Sequence, residues 1–558
     1  SYKNSYATIL RGEIIEGDQM KPITQLADEI GIDAAHVSPQ GRYKAKLRLE
    51  SIKDNPKGKL VLMTGMTPTR AGEGKTTTTV GLTQAMGRLG HNAAATLREP
   101  SLGPIFGIKG GGTGGGKALV EPQSEVNIHF TGDAHAVASA HNLLAALTDN
   151  AAYRGQIPGF TAADITWRRV VDVEERALRQ VVTGLGGSTN GPMRESGFDI
   201  VTASEIMAIL ALCSSLDDLR SRLSRVVVGF TEEDKPVTAD DVGAVGSLMS
   251  LLRLAIQPNM VQTTEGQPVF VHAGPFGNIA HGCNSVLADR VALSYSDYVF
   301  TEAGFGADLG FEKFMHIKAR FNDLEPHAAV IVVTAKAIKS HGGVRLKDLD
   351  QTNVGAVEKG LANVEHLVGM IRSFGLPVVV AVNRFPTDSA EEVELIQTRS
   401  EAAGAVAAPE SFVYEKGGEG GIELAEAVIE ATRGDKPKIK YLYETGASIE
   451  DKVLSLAQNV YNARDVSWSS SARRKLRVFE GQGWGNLPVC VAKTNLSISD
   501  KPRLKGAPSG YTFNVTDVRA SVGAGFIYPI SGTIVTMPGL PSNPRQLDVD
   551  STGDVVGL

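Results

Sequence analysis

The sequence is poor in cysteine, and its three cysteines, Cys213, Cys283 and Cys490, lie far apart without a CxxC pair. Neither a disulfide framework nor a zinc site is therefore indicated. The chain also has no apolar stretch of the roughly 18 residues that a membrane-spanning helix needs. It has no long run of Lys or Arg, and its net charge is −6. We therefore expect neither a nucleic-acid partner nor a membrane partner.

Length and composition indicate a globular protein of several domains. The chain has 558 residues, of which 42% are hydrophobic and 21% are charged, an ordinary composition for a protein with a large core. At roughly 150 residues per domain, this length predicts two to four domains. Residues 1–4 begin no charged-then-apolar signal pattern, so we expect a cytoplasmic protein.

A glycine-rich segment, residues 69–76, lies between a predicted strand and a predicted helix. The apolar run 59–66 before it is typical of a buried parallel strand. The segment after it carries apolar residues at helical spacing: Leu82, Met86 and Leu89. Backbone amides that enter a helix bind phosphate, Lys75 adds a charge for the outer phosphates, and Thr76 offers a hydroxyl to Mg²⁺.

These features predict a P-loop, although Thr69 stands where the usual motif begins with Gly. Gly72 and Gly74 allow the backbone to approach a ligand closely. The alternative is a glycine-rich turn that binds nothing.

The second predicted strand, residues 92–97, ends in Arg98 and Glu99. Ligands gather at the carboxyl ends of the strands in open α/β sheets. Arg98 there can neutralise an acyl phosphate, and Glu99 can hold a metal ion or orient a nucleophile. A surface ion pair is the alternative.

Residues 107–117 contain seven glycines in eleven positions, so they form neither a helix nor a stable strand. Their amides can surround an anion, whereas the alternative, a flexible linker, is usually longer. His129, Asp133 and His135 follow as candidates for proton transfer or metal binding. Their alternating spacing argues against a dedicated metal site, and Asp133 can equally be a helix N-cap.

Later predicted strands also end in polar residues, among them Glu302, Lys336 and Asn383. Because loops at one edge of a sheet converge, a single large site is the economical interpretation. Glu302 follows the strand 298–301, and a carboxylate at such a position is a natural partner of Mg²⁺ or water.

Residues 159–265 have fewer glycine-rich loops, and they predict an inserted α+β domain in which residues 174–182 form a helix. The predicted fold class is α/β, with a P-loop NTPase-like, mostly parallel sheet that carries helices on both faces. We expect a core domain of residues 1–158 and 266–455, the inserted domain of residues 159–265, and a smaller β-rich C-terminal domain of residues 456–558.

Together these segments resemble the formate–tetrahydrofolate ligase family, and the resemblance covers nearly the whole chain. The best-matching segments are residues 67–76, 97–104, 129–133, 301–310 and 416–421. The resemblance implies that ATP phosphorylates formate to formyl phosphate, and that the secondary amine of tetrahydrofolate then attacks the formyl carbon. It also implies a homotetramer that is activated by a monovalent cation, K⁺ or NH₄⁺.

The resemblance implies roles for individual residues. The residues implied to bind ATP are Thr69, Arg70, Ala71, Gly72, Glu73, Gly74, Lys75 and Thr76. Thr76 and Glu302 are implied to bind Mg²⁺, and Phe305 and Tyr414 are implied to sandwich the pterin ring. The residues implied to be catalytic are Lys75, Arg98, Glu99, Asp133 and His135.

The sequence departs from the family pattern within the predicted site, and Gly112-Thr113 stands where the family has Ala-Ala. Lys117 stands where the family has Tyr, Lys336 where it usually has Arg, and Tyr414 where it usually has the stacking Trp. Tyr can still stack, but with less area, and Lys117 adds positive charge near bound anions. A divergent ligase that uses another acyl phosphate or a modified pterin is therefore an alternative.

Two further classes of protein carry a similar loop. Another acyl-phosphate ligase, similar to dethiobiotin synthetase, also begins its P-loop with Thr. A partitioning-type P-loop ATPase is a nucleotide-driven switch, which needs little beyond the P-loop and a dimer face. The many strand-end loops of this sequence exceed what such a switch requires.

Overall fold

The computed structural model describes residues 20–70, 72–107 and 112–558. Ala71 of the predicted P-loop and residues 108–111 of the glycine-rich segment lie outside this described part, as do residues 1–19. No helix in the described ranges is long and apolar enough to cross a membrane.

The strands are numbered in chain order. They are β1 (Val37–Pro39), β2 (Ala45–Leu47), β3 (Lys59–Gly65), β4 (Ala93–Leu97), β5 (Gly114–Gly115), β6 (Ala118–Glu121), β7 (Arg169–Val171), β8 (Val181–Thr183), β9 (Arg194–Ser196), β10 (Phe198–Ile200), β11 (Val227–Phe230), β12 (Pro236–Thr238), β13 (Asn259–Thr263), β14 (Pro268–Val271), β15 (Tyr298–Gly306), β16 (Ala328–Val333), β17 (Val378–Asn383), β18 (Glu410–Ser411), β19 (Asp465–Trp468), β20 (Thr512–Val515), β21 (Asp517–Ser521), β22 (Phe526–Ile530), β23 (Asp548–Val549) and β24 (Val555–Val556).

Two π-helical segments, Ala307–Phe311 and Phe314–Ala319, follow β15. The α-helices are numbered in chain order: α1 (Ile23–Glu29), α2 (Lys75–Arg88), α3 (Leu102–Phe106), α4 (Gln123–Asn127), α5 (Asp133–Tyr153), α6 (Glu205–Leu212), α7 (Leu216–Ser224), α8 (Val245–Leu252), α9 (Val286–Tyr295), α10 (Ala335–His341), α11 (Val354–Ser373), α12 (Ala390–Ala402), α13 (Val413–Lys416), α14 (Ile422–Ala431), α15 (Ile449–Asn459) and α16 (Ser470–Gly481).

A large, mostly parallel sheet forms the centre of the protein, in the order β1-β2-β13-β14-β4-β15-β3-β16-β17-β18. Every pairing from β14 to β18 is parallel. The pairings from β1 to β14 are antiparallel, and the short strands β5 and β6 attach beside β13. The predicted α/β class with a mostly parallel sheet is therefore confirmed.

The central strand β3 is buried along almost its whole length, as expected for a parallel strand covered on both faces. Because successive side chains of a strand point to opposite faces, Leu60 and Leu62 join one apolar cluster while Val61 and Met63 join another. The second cluster contains residues of α2 and α14. Because β3 is packed on both faces, its carboxyl end, from which the glycine-rich loop starts, has a defined position.

In the predicted inserted domain, residues 159–265, one segment has a different secondary structure from the one predicted. Residues 174–182 do not form the predicted helix: a short 3₁₀ turn, Arg176–Arg179, leads into β8, which pairs antiparallel with β9. The strand pairing overrides the local helical pattern, because a partner eleven or more residues away satisfies the backbone groups. β13, inside the predicted inserted segment, pairs with the main sheet, and the domain boundaries stay a prediction.

Candidate active site

The glycine-rich loop connects β3 to α2, and α2 begins at Lys75. Gly72 and Gly74 both have left-handed backbone, with φ of +76° and +73°. A Cβ built on Gly74 would collide with Nδ2 of Asn383, whereas one built on Gly72 meets no atom of the described residues within 4 Å. Asn383 ends β17, and its Nδ2 donates to the carbonyl oxygen of Glu73 at 3.2 Å. The loop is therefore held against a neighbouring strand end.

Lys75 lies against the end of the adjacent strand β15. Its Nζ donates to the carbonyl oxygen of Ala303, and Glu302, the preceding residue, is buried. Burial lowers the pKa of the Lys75 ammonium from its ordinary value, and the negative charge of Glu302 opposes that shift. Glu302 Oε1 also accepts a hydrogen bond of 3.1 Å from Oγ1 of Thr79 in the second turn of α2.

A cavity of about 230 Å³ opens beside this loop, and its lining contains Thr76, Arg98, Glu99 and Glu302. The structure thus brings together the predicted loop, the predicted strand-end pair and the predicted carboxylate. Arg98 Nε and Glu99 Oε2, two buried atoms of residues that line this cavity, have no hydrogen-bond partner among the described residues. Buried polar atoms are normally satisfied, so these two groups are a donor and an acceptor for which the described residues supply no partner.

Glu99 lies next to a buried ion pair. Lys46 Nζ is 2.7 Å from Asp133 Oδ1, and Asn259 Nδ2 donates to Asp133 Oδ2 at 2.8 Å. Burial, followed by the negative charge of Asp133, raises the pKa of Glu99 well above its ordinary value, and Lys46 opposes this shift. Asp133 thus acts on Glu99 through its charge.

Asp133 and His135 belong to the first turn of α5 but face different surroundings. Asp133 is buried, and the N-cap position belongs to Gly132, so Asp133 is not the N-cap residue. His135 is exposed, with its Nε2 3.4 Å from Ser139 Oγ. The structure therefore brings Asp133 into the network of Glu99 and places His135 on the outer surface of the helix.

The remaining described residues of the loop have defined positions. Glu73 Oε1 accepts a hydrogen bond of 2.8 Å from the backbone N–H of Thr69, and burial raises the pKa of Glu73 to about 7. Arg70 is exposed, and Thr76 lines the cavity. The loop thus contains a carboxyl group whose charge changes near neutral pH.

Thr67, just before the loop, is held by side chains that the sequence did not reveal. Asn363 Nδ2 donates to Thr67 Oγ1 at 2.9 Å, and His341 Nε2 is 2.9 Å from the Thr67 carbonyl oxygen. Thr67 Oγ1 also lies 3.2 Å from Asp308, which pairs with the buried Lys493 at 2.6 Å. The only sign of these contacts in the sequence is that each partner is a polar residue within an otherwise apolar segment.

The two predicted aromatic residues lie on different elements, Phe305 on β15 and Tyr414 on α13. Phe305, at the end of β15, has φ of +57°, and a Cβ on Gly277 would come within 2.8 Å of its ring. The Tyr414 side chain is exposed, and a Cβ on Gly115 would lie 3.2 Å from its ring and 3.5 Å from Thr77 Oγ1. Tyr414 therefore stands beside the first turn of α2.

Three of the departures from the family pattern, Lys117, Lys336 and Tyr414, have distinct surroundings. Lys117 is exposed, and its backbone N–H donates to the Tyr414 carbonyl oxygen at 2.9 Å. Lys336 pairs with Asp350 at 2.6 Å, and its ammonium lies 4.6 Å from the centre of the Phe385 ring. Lys117 and Tyr414 are thus direct neighbours, whereas Lys336 is engaged in an ion pair.

The residues present fit a magnesium ion that is held mainly by phosphates and water. No group of three or more His, Cys, Asp or Glu side chains in the described ranges is arranged to hold a metal ion alone. Mg²⁺ in nucleotide sites needs only one or two protein oxygens beside those of the phosphates. Thr76 and Glu302 line the same cavity and can supply them.

The fold and this site define an α/β enzyme whose charged side chains gather at the carboxyl edge of a mostly parallel sheet, around a glycine-rich loop that enters a helix. Comparison with known families narrows the class further. The family model described as formate–tetrahydrofolate ligase matches residues 11–558, and the chain belongs to this ligase family. A formate–tetrahydrofolate ligase of Roseiflexus sp. (strain RS-1) is 49% identical to this chain over an alignment of 560 positions. The alignment covers 98% of this chain and 99% of that protein.

Proposed function

We propose that this protein joins formate to tetrahydrofolate with ATP, giving 10-formyltetrahydrofolate, ADP and phosphate through a formyl phosphate intermediate. Family membership supports the reaction. The observation that carries the assignment to this site is the cavity itself. Its lining includes Arg98, whose Nε has no hydrogen-bond partner among the described residues, and Thr76 of the glycine-rich loop. This supports the assignment of Arg98 to the acyl phosphate.

In the first step, a formate oxygen attacks the terminal phosphorus of ATP and ADP leaves. The amides at the start of α2 and the Lys75 ammonium hold the phosphates and stabilise the charge that develops on the transferred group. Thr76 and Glu302 would hold Mg²⁺, which neutralises phosphate charge when bound. Arg98 binds the formyl phosphate through charge-assisted hydrogen bonds.

In the second step, the amine of tetrahydrofolate attacks the formyl carbon, phosphate leaves, and the amine nitrogen loses its proton. Glu99 is the residue that we assign to accept that proton. Burial and the Asp133 charge raise the pKa of Glu99, and a carboxylate with a raised pKa is a better base. Phe305 and Tyr414 hold the pterin by stacking.

Five further properties complete the proposal. We assign the loop from Thr69 to Thr76 to a P-loop NTPase-like core domain. Secondary roles in proton handling are assigned to Asp133 within the network of Glu99 and to His135 at the exposed surface of α5. The protein is proposed to be a homotetramer, which light scattering of the purified protein tests. It is also proposed to require K⁺ or NH₄⁺, which activity in sodium-only buffer tests, and to be cytoplasmic.

The transfer of oxygen from formate to phosphate tests the intermediate directly. With formate that carries heavy oxygen, one labelled oxygen must appear in the released phosphate, because the C–O bond of formyl phosphate breaks in the second step. Arg98→Met should abolish this transfer. Arg433→Met should not change it, because Arg433 is an exposed residue that pairs with Glu430. Unlabelled phosphate from the unaltered enzyme would refute the formyl phosphate route.

A further inference from the structure

A second and larger cavity, about 740 Å³ in volume, lies between the region of β7 to β11 and the C-terminal region of α16, β21 and β22. Trp167, Ser204 and Phe230 line it from one side, and Phe479, Trp484 and Tyr528 from the other. None of the residues assigned above to ATP, formate or tetrahydrofolate lines it. Its volume falls in the range of small-molecule binding sites, roughly 300–1,000 Å³. We call it the inter-region cavity.

The inter-region cavity and the cavity beside the glycine-rich loop share a wall. Phe276 and Gly277 line the loop cavity, whereas Ile279 and Ala280 line the inter-region cavity. Backbone hydrogen bonds hold this wall. The Phe276 N–H donates to the carbonyl oxygen of Thr202 at 2.7 Å, and the Ala280 N–H donates to the carbonyl oxygen of Phe276 at 2.9 Å. The two cavities are therefore separate but adjacent.

Aromatic rings give the inter-region cavity flat apolar surfaces. The Trp484 ring centre lies 5.4 Å from that of Phe479 and 6.4 Å from that of Phe230. Across the cavity from Trp484 and Phe479, Trp167 stacks on the buried His141, with ring centres 4.2 Å apart. Surfaces of this kind favour a planar aromatic ligand, because offset stacking and edge contacts add to simple burial.

The wall formed by α16 and β21 carries an excess of positive charge. Lys475 Nζ lies 2.6 Å from Asp517 and Arg519 Nε lies 3.8 Å from the same carboxylate, so one negative charge faces two positive charges. Arg474, the neighbour of Lys475, also lines the cavity, and among the described residues it has no ion-pair partner. Three cations therefore face one carboxylate here.

The opposite wall carries one cation, Arg168, and three carboxyl groups, those of Asp199, Glu205 and Asp234. Arg168 Nε lies 3.6 Å from Asp199. Glu205 accepts a hydrogen bond of 3.1 Å from the backbone N–H of Ala524, and burial raises the pKa of Glu205 to about 7. The negative end of a ligand would thus point towards α16 and its ring towards the aromatic residues.

We propose that the inter-region cavity is a second ligand site, which binds a planar aromatic carboxylate with its carboxylate on Arg474 and its ring against Trp484. Guanidinium and carboxylate groups match in geometry, and an aromatic ring that carries one charged group is the chemistry that combines both walls. This site is distinct from the one that holds ATP, formate and tetrahydrofolate. Its occupancy is therefore measurable whether or not the ligase reaction takes place.

Naphthoate is a suitable probe, and tryptophan fluorescence reports its binding, because two of the three tryptophans of the chain, Trp167 and Trp484, line the cavity. Saturable quenching of the full-length protein, checked by calorimetry, is the expected result. Arg474→Ala should weaken binding about tenfold, which corresponds to the loss of one charge-assisted hydrogen bond. Arg473→Ala, one position away on the same helix and outside the cavity lining, should leave it unchanged.

Two further measurements make the test decisive. Naphthalenemethanol, which lacks the charge, should bind more weakly than naphthoate, and a non-hydrolysable ATP analogue should not displace naphthoate. The absence of saturable quenching would overturn the proposal. Equal weakening by Arg473→Ala, or displacement by the ATP analogue, would also overturn it, because the probe would then bind to diffuse surface charge or to the loop cavity.

Discussion

Replacing Gly74 by Ala should damage nucleotide binding far more than the same change at Gly72. Both residues have left-handed backbone, which costs a residue with a Cβ about 1–2 kcal/mol. At Gly74 the new methyl group also collides with Nδ2 of Asn383. The collision breaks the hydrogen bond from Asn383 to the Glu73 carbonyl oxygen, for a further loss of about 1 kcal/mol.

These terms give a clear ranking. In the free variants the loop relaxes away from its left-handed backbone, and ATP binding must force it back into that conformation. Gly72→Ala should therefore weaken the binding of an ATP analogue by roughly 5- to 30-fold, and Gly74→Ala by roughly 30- to 150-fold. Titration calorimetry measures both affinities, and thermal unfolding checks that each variant is folded.

Asn383→Ala provides the internal control, because it removes the group with which the new methyl collides. The double variant Gly74→Ala/Asn383→Ala should bind the analogue better than the sum of the two single effects predicts, since the collision is absent. Equal losses at Gly72 and Gly74, or strictly additive effects in the double variant, would refute the contact between this loop and β17 as the cause.

Other substitutions test the remaining parts of the site. Lys75→Ala should abolish ATP-dependent turnover while far-ultraviolet circular dichroism stays unchanged; near-normal turnover would remove the loop from the mechanism. Tyr414→Ala should raise the KM for tetrahydrofolate, because a stacked ring contributes about 0.5–1.5 kcal/mol beyond its burial, and unchanged folate kinetics would place the pterin elsewhere. Lys46→Met should lower the free energy of unfolding by about 3–5 kcal/mol, since Asp133 then stays buried without its partner; denaturant titration measures this, and a loss below about 1 kcal/mol would contradict it. Glu73 has a folded-state pKa of about 7 against an ordinary value of 4.5, so its contribution to stability is complete below pH 4.5 and is lost as the pH rises through 7. Unfolding titrations across this range should show that loss in the unaltered protein and not in Glu73→Gln.

The part of the site that follows from local sequence was predictable. A continuous apolar run, a glycine-rich loop with Lys75, and apolar residues at helical spacing describe a buried strand, a loop and a helix, and the structure has β3 and α2 there. Arg98 and Glu99 were also identifiable, because a strand in a parallel sheet delivers the residues that follow it to one edge.

The contacts between distant segments were not predictable from the sequence. Lys46 and Asp133 are 87 positions apart, and nothing local indicates that β2 and the start of α5 meet in the core. The hairpin of β8 and β9 was missed for the same reason, since its pairing overrides a local helical pattern. Sequence spacing likewise grouped His135 with Asp133, although neighbouring positions on a helix face different directions.

The most direct test of the proposed ligase reaction is ADP formation from ATP and Mg²⁺, measured with and without formate and with and without tetrahydrofolate. We expect rapid turnover only when both substrates are present, because tetrahydrofolate must remove the formyl group before the site can release phosphate. Equal turnover without formate, or none with both substrates, would contradict the assignment of this site to the ligase reaction.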